Sequence, residues 1–134
     1  QPRRHRGLPP RTGKLPDPDL HAWSEAADLF VHPTLYEGSS LVTLEAMAHR
    51  RACVTTNAGG LPDKVRSGIN GWLVPADDPA ALAAAISGAL EGPNRLRDMG
   101  AAGRVIVEQE FSWRHAVRET IALYEGLLQR DRSG

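Results

Sequence analysis

The sequence predicts an α/β fold, a small parallel sheet with helices on both faces. Three observations carry this. Short apolar runs end at turn residues, helix caps precede the amphipathic stretches, and strand and helix patterns alternate along the chain. Strands separated by helices pair in parallel through crossovers.

Residues 1–14 come first, with six basic side chains counting His5, three prolines and almost nothing apolar. Such a stretch cannot offset its ordering entropy by burial, and a mobile lead-in is expected. It could also serve as a basic arm for phosphates, but no aromatics are interleaved. Asp17-Pro18 then starts a helix carrying Leu20, Trp23 and Ala27 at helical spacing. An apolar run over 29–32 stops at Pro33 and reads as a buried strand. Ser40 caps a helix over 40–49, with Leu41, Leu44 and Ala48 on its apolar side.

Residues 53–56 form the second strand, and 72–74 the third, after the turn residues of 67–71. Asp78 caps the next helix with Pro79 at its first position, and Gly92-Pro93 ends it. A short helix around Leu96 and Met99 follows. Ser112 opens the last one, whose apolar side is Val117, Ile121, Tyr124, Leu127 and Leu128. A frayed tail is expected over 129–134. Three strands are few for a class that usually has about five or six, so the sheet reads as partial.

Sixteen basic side chains balance sixteen acidic ones. That balance gives no general case for a nucleic acid or an anionic membrane as partner. The lone Cys53 lies in an apolar run and reads as a core thiol. No apolar stretch approaches the ~20 residues that span a bilayer, and a cytoplasmic location is the default expectation. His32 ends a strand as a structural polar contact, whereas His49 and His115 read as solvated.

Ligands of open parallel sheets sit beyond the carboxyl ends of the strands. After the first strand comes Pro33-Thr34-Leu35-Tyr36-Glu37-Gly38-Ser39-Ser40, running into a helix N-terminus whose free N–H groups favour an anion such as phosphate. After the second comes Asn57-Ala58-Gly59-Gly60, where glycine permits positive φ or close approach to a ligand. Taken alone, the serines could simply cap a helix and the glycines simply make a turn. Glu37 and Glu45 tip the balance. Both are expected to face one crevice, Glu45 deeper along the helix, where carboxylates accept from vicinal sugar hydroxyls.

Glu37-Gly38, followed by Glu45 eight positions after Glu37, resembles the E-x7-E motif of retaining GT-B glycosyltransferases, the group of sucrose synthase and glycogen synthase. The likeness extends to Ala27-Asp28-Leu29-Phe30-Val31-His32-Pro33, Leu44-Glu45-Ala46-Met47-Ala48, Gly59-Gly60-Leu61-Pro62-Asp63-Lys64-Val65, Gly68-Ile69-Asn70-Gly71-Trp72-Leu73-Val74 and Phe111-Ser112-Trp113. Together these cover about residues 12–128 and place 15–128 as a partial, Rossmann-like C-terminal nucleotide-sugar-binding domain. The resemblance implies that Glu37 is the catalytic-site acid, bonding hydroxyls of the transferred sugar. It implies that Gly38 and the backbone amides of Ser39, Ser40, Leu41 and Val42 hold the diphosphate, and that Glu45 takes the ribose hydroxyls. Gly59 and Gly60 form a secondary loop. The donor would be a UDP-, GDP- or ADP-sugar, and neither a cofactor nor a metal is implied.

Two departures from the family pattern stand out. Where relatives carry glycine after the helix and proline before the strand, this chain has Ala48-His49-Arg50-Arg51-Ala52, and a loosened turn is expected. Residues 8–13 resemble a degraded VxFxG strand, so the acceptor lobe and an arginine–lysine pair that relatives carry upstream do not appear in this sequence. The expected partners are therefore a nucleotide-sugar donor and an N-terminal acceptor lobe, in a longer chain or a partner chain, but no nucleic acid. Peripheral membrane association through that lobe and self-association through an open sheet edge complete the expectations. The isolated chain is expected to be inactive. The alternatives are a non-catalytic nucleotide-sugar-binding module, a truncated remnant, or a dehydrogenase domain, the last lacking any Gly-x-Gly-x-x-Gly after a strand.

Overall fold

The computed structural model of the chain describes residues 12–131. Most of the basic lead-in over 1–14, the greater part of the VxFxG-like segment and residues 132–134 lie outside the described residues. The elements run α1 (Asp17–Ala26), β1 (Leu29–His32), α2 (Leu41–Ala48), β2 (Ala52–Thr56), α3 (Leu61–Lys64), β3 (Gly71–Val74), α4 (Pro79–Leu90), α5 (Pro93–Glu110) and α6 (Trp113–Asp131). The three strands are parallel in the order β1-β2-β3, with Val31 paired to Val54 and Val54 to Trp72.

Both faces of the sheet are covered, and side chains alternate between them as the pleat requires. Ala52 and Val54 of β2 join Val74, Ala89, Leu96 and Met99 on one face, backed by Leu29, Val31 and the apolar side of α4. Cys53 joins Ala46, Met47, Val65 and Ile106 on the other, backed by Phe30, Leu44 and Phe111. All five residues of β2 are buried, whereas all four of β1 are half-buried. Burial pushes the Cys53 thiol up to about 12, which suits a core cysteine and not a reactive one.

Four expectations need correction. The short helix around Leu96 and Met99 is instead an 18-residue helix. It packs Leu96 and Met99 on one face of the sheet and Ile106 on the other, so it wraps the sheet's amino end. The buried side of α2 is Thr43, Ala46 and Met47, while Leu41 is 70% exposed. Threonine tolerates that burial because its hydroxyl lies 2.8 Å from Ser40 Oγ. α6 continues through Asp131, three residues into the expected tail, and its apolar stripe is present but exposed.

The fourth concerns the turn after α2, which is tight rather than loosened. Arg50 takes the left-handed conformation at φ 57°, the one that glycine most often supplies after a helix. Arg50 N–H donates to Met47 O at 2.9 Å and Arg51 N–H to Ala46 O at 3.0 Å. Arg104 Nη1 of α5 closes the end by donating to Ala48 O at 2.7 Å.

Candidate functional site

Three segments meet at the carboxyl edge of the sheet: residues 33–40 after β1, 57–60 after β2, and 75–78 after β3. The first two are locked together through backbone. Gly60 N–H donates to Gly38 O at 3.1 Å. Gly59 sits at φ +52°, and a Cβ there would stand 1.5 Å from Glu37 O; a Cβ on Gly60 would stand 2.6 Å from Gly38 O. The close approach expected of this glycine pair is therefore real, but it is made to the chain's own loop.

The clamped loop delivers the start of α2. Ser40 is its N-cap and accepts from Thr43 N–H at 3.3 Å. The N–H groups of Leu41 and Val42, in the first turn, have no intrahelical acceptor. Gly38, Ser39, Leu41 and Val42 are exposed, so the positive end of the helix opens to solvent. Ser39 Oγ accepts from Lys64 Nζ at 3.1 Å, and the same Nζ donates to Gly60 O at 3.3 Å. Lys64 is only 4% exposed. Its position one turn past Gly60 is the sequence signal that places it at this seam.

Glu37 is held by the strand that precedes it. Its Oε2 lies 3.0 Å from His32 Nε2, the last residue of β1. His32 is thus a structural polar contact, as expected, and its partner is the acid of the motif. Glu45 is exposed and lines an apolar groove of about 240 Å³ with Leu20 and Trp23 of α1, Phe30 of β1 and Val42 of α2. Glu37 is not among the walls of that groove. An exposed Glu45 carries none of the burial cost its apolar neighbours would suggest.

Two other histidines are less solvated than expected. His49 Nε2 lies 2.8 Å from His21 Nδ1, tying the end of α2 to α1, and His115 is half-buried. Among the described residues, no group of three or more His, Cys, Asp or Glu side chains is placed to hold a metal ion, and no helix is long and apolar enough to cross a membrane.

Comparison with known proteins adds the family. Residues 10–92 match the family model of glycosyl transferases group 1. The chain is 38% identical to the alpha-maltose-1-phosphate synthase of Mycolicibacterium smegmatis over 116 residues, 82% of this chain and 30% of that protein. It is 36% identical to the D-inositol 3-phosphate glycosyltransferase of Thermobispora bispora over 115 residues, covering 86% of this chain and 27% of that one. Sucrose-phosphate synthase from Thermosynechococcus elongatus superposes with a TM-score of 0.78 at 34% identity, covering 88% of this chain and 30% of the synthase. Anabaena HepE in complex with UDP superposes at 0.68 with 27% identity, covering 80% and 29%. The chain thus spans under a third of the length of these relatives. Its three parallel strands and flanking helices are those of a GT-B glycosyltransferase domain, and the chain belongs to the glycosyl transferases group 1 family.

Proposed function

We propose that this chain is the donor-binding half of a retaining hexosyltransferase that uses a nucleotide-diphosphate sugar, and that transfer requires the remainder of the enzyme. The observation that carries this reading is the backbone seam between Gly38 and Gly60, which holds the exposed start of the helix that Glu37 and Glu45 flank along the chain. Open N–H groups and the helix dipole suit a diphosphate. Glu37, anchored at the end of β1, accepts from hydroxyls of the sugar, and Glu45 accepts from the vicinal hydroxyls of a ribose. The leaving diphosphate gains its negative charge against the same amides, which is where transition-state stabilisation is most effective. A relative of this fold was solved with UDP and with UDP-glucose, in line with the class of donor. A chain of this extent offers one wall of a two-sided site, so positioning is incomplete and turnover by it alone should be negligible.

Titration with UDP, GDP and ADP, followed by the amide resonances of Ser39, Ser40 and Leu41, tests the reading. Shifts at these amides are expected; silence there with all three nucleotides rejects it. Joining the chain to an acceptor lobe separates enzyme from binding module. Transfer that returns, and is lost in Glu37→Ala, identifies the enzyme.

A further inference from the structure

We propose that Lys64 is a diphosphate-positioning residue, a buried cation whose counter-charge is the ligand; the inference rests on the donor-binding reading above. Lysine is rarely buried to this degree without a carboxylate. Lys64 is 4% exposed, and among the described residues no carboxylate lies within ion-pair distance of it. Its surroundings are a hydroxyl, a carbonyl and the Phe111 ring, whose centroid is 5.7 Å from Nζ. Sequestering an ammonium without a counter-charge works against stability, so a ligand anion is a natural partner for it.

The position of the charge indicates its use. Nζ sits in the seam between the two glycine loops, 3.1 Å beneath Ser39 Oγ. A lysine ammonium has three donors; Ser39 Oγ and Gly60 O take two of them. Because Ser39 Oγ accepts from Nζ, the Ser39 hydroxyl keeps its own proton to donate outward, at the place where the α2 N-terminus already favours an anion. Lys64 thereby polarises Ser39 and adds a full positive charge to the partial charge of the helix end. A cofactor or metal is not needed for this role.

The test uses the 134-residue chain with inorganic pyrophosphate, UDP and uridine as ligands. Lys64→Met should weaken pyrophosphate and UDP about tenfold or more, as expected for loss of a charge-assisted contact, while uridine affinity stays unchanged. Lys64→Arg should retain most of the diphosphate affinity. Equal pyrophosphate affinity in Lys64→Met and the unsubstituted chain overturns the inference. So does a parallel loss for pyrophosphate and uridine, which is what a purely structural lysine gives. In the unsubstituted chain, the Lys64 Nζ resonance should move on adding pyrophosphate and stay put on adding uridine; an indifferent Nζ overturns the inference even where Lys64→Met does not fold. Nucleoside-diphosphate binding with an indifferent Lys64 defeats this inference alone, whereas no binding of UDP, GDP or ADP by the unsubstituted chain defeats the donor-binding reading as well.

Discussion

At its C-terminal end α2 is closed. Arg50 and Arg51 donate back to Met47 and Ala46, Arg104 covers Ala48 O, and α5 lies so near that a Cβ on Gly100 would fall 2.0 Å from Arg50 O. The N-terminal end of the same helix is held by Gly59, Gly60 and Ser40, yet Ser39, Leu41 and Val42 there are exposed, with buried Lys64 bonded to Ser39. First-turn N–H groups at an exposed helix end are met by water, which an anion can replace. Here eight residues show both treatments, one end braced by α5 and the other left at the surface.

Substitutions at the two ends should separate stability from binding. Gly59→Ala is expected to have the largest effect, about 3 kcal/mol, because alanine must take positive φ and push Glu37's carbonyl aside. Thermal unfolding should show the loss, and the folded fraction should bind pyrophosphate poorly. Gly100→Ala should cost about 2 kcal/mol by overpacking against Arg50 O, yet its folded fraction should bind pyrophosphate normally. Impaired binding there would erase the distinction between the ends.

Ser40→Ala comes next, at about 1 kcal/mol for a lost N-cap, with Thr43 left without its hydroxyl partner. Arg50→Gly should have the opposite sign. Relief of the left-handed strain is about 1–2 kcal/mol, set against about 0.5–1 kcal/mol for glycine's extra freedom in the unfolded chain. A net gain of about 0.5 kcal/mol should be seen in urea midpoints, with ligand affinity unaltered.

The smallest effect should come from Glu110→Gln, remote from both ends. Arg66 bonds both Glu110 oxygens and holds that carboxyl below its usual range. A depressed folded value stabilises the chain above the ordinary carboxylate range, and that stability is lost as pH falls through the depressed value. Glu110→Gln should flatten the acid limb of the melting temperature by lowering its neutral and alkaline plateau slightly, and leave its value in strong acid, where both side chains are uncharged, almost unchanged.

Much of this was legible from residue order. Asp78 with Pro79, Ser40 ahead of its helix and the apolar run ended by Pro33 each announce a boundary through local chemistry, and all three appear where expected. The motif residues also fall on one edge of a parallel sheet, as chain order requires. What was not legible depended on distant partners. The length of α5 was hidden because Gly100 and Gly103 resemble helix breakers until the turn at Arg50 and the Met47 side chain come into contact with them. The turn after α2 reads as loose when glycine is expected, since nothing local reveals that Arg104 will brace it. The burial of Lys64 likewise depends on Phe111, 47 positions later in the chain. Helical spacing groups Glu45 with Leu41, and both are exposed because the buried side of α2 is set by its contacts with the sheet and α5.

The bond between His32 and Glu37 has a consequence for recognition. Immobilising a glutamate side chain costs up to about 2 kcal/mol of rotamer freedom. Because Oε2 is already tethered to a strand residue, that cost is met when the chain folds and not when a guest arrives. On the donor-binding proposal, Oε1 would thereby be presented in a direction set in advance, and selectivity among epimeric hydroxyls would rest on geometry fixed by the polypeptide instead of on adaptation to each visitor.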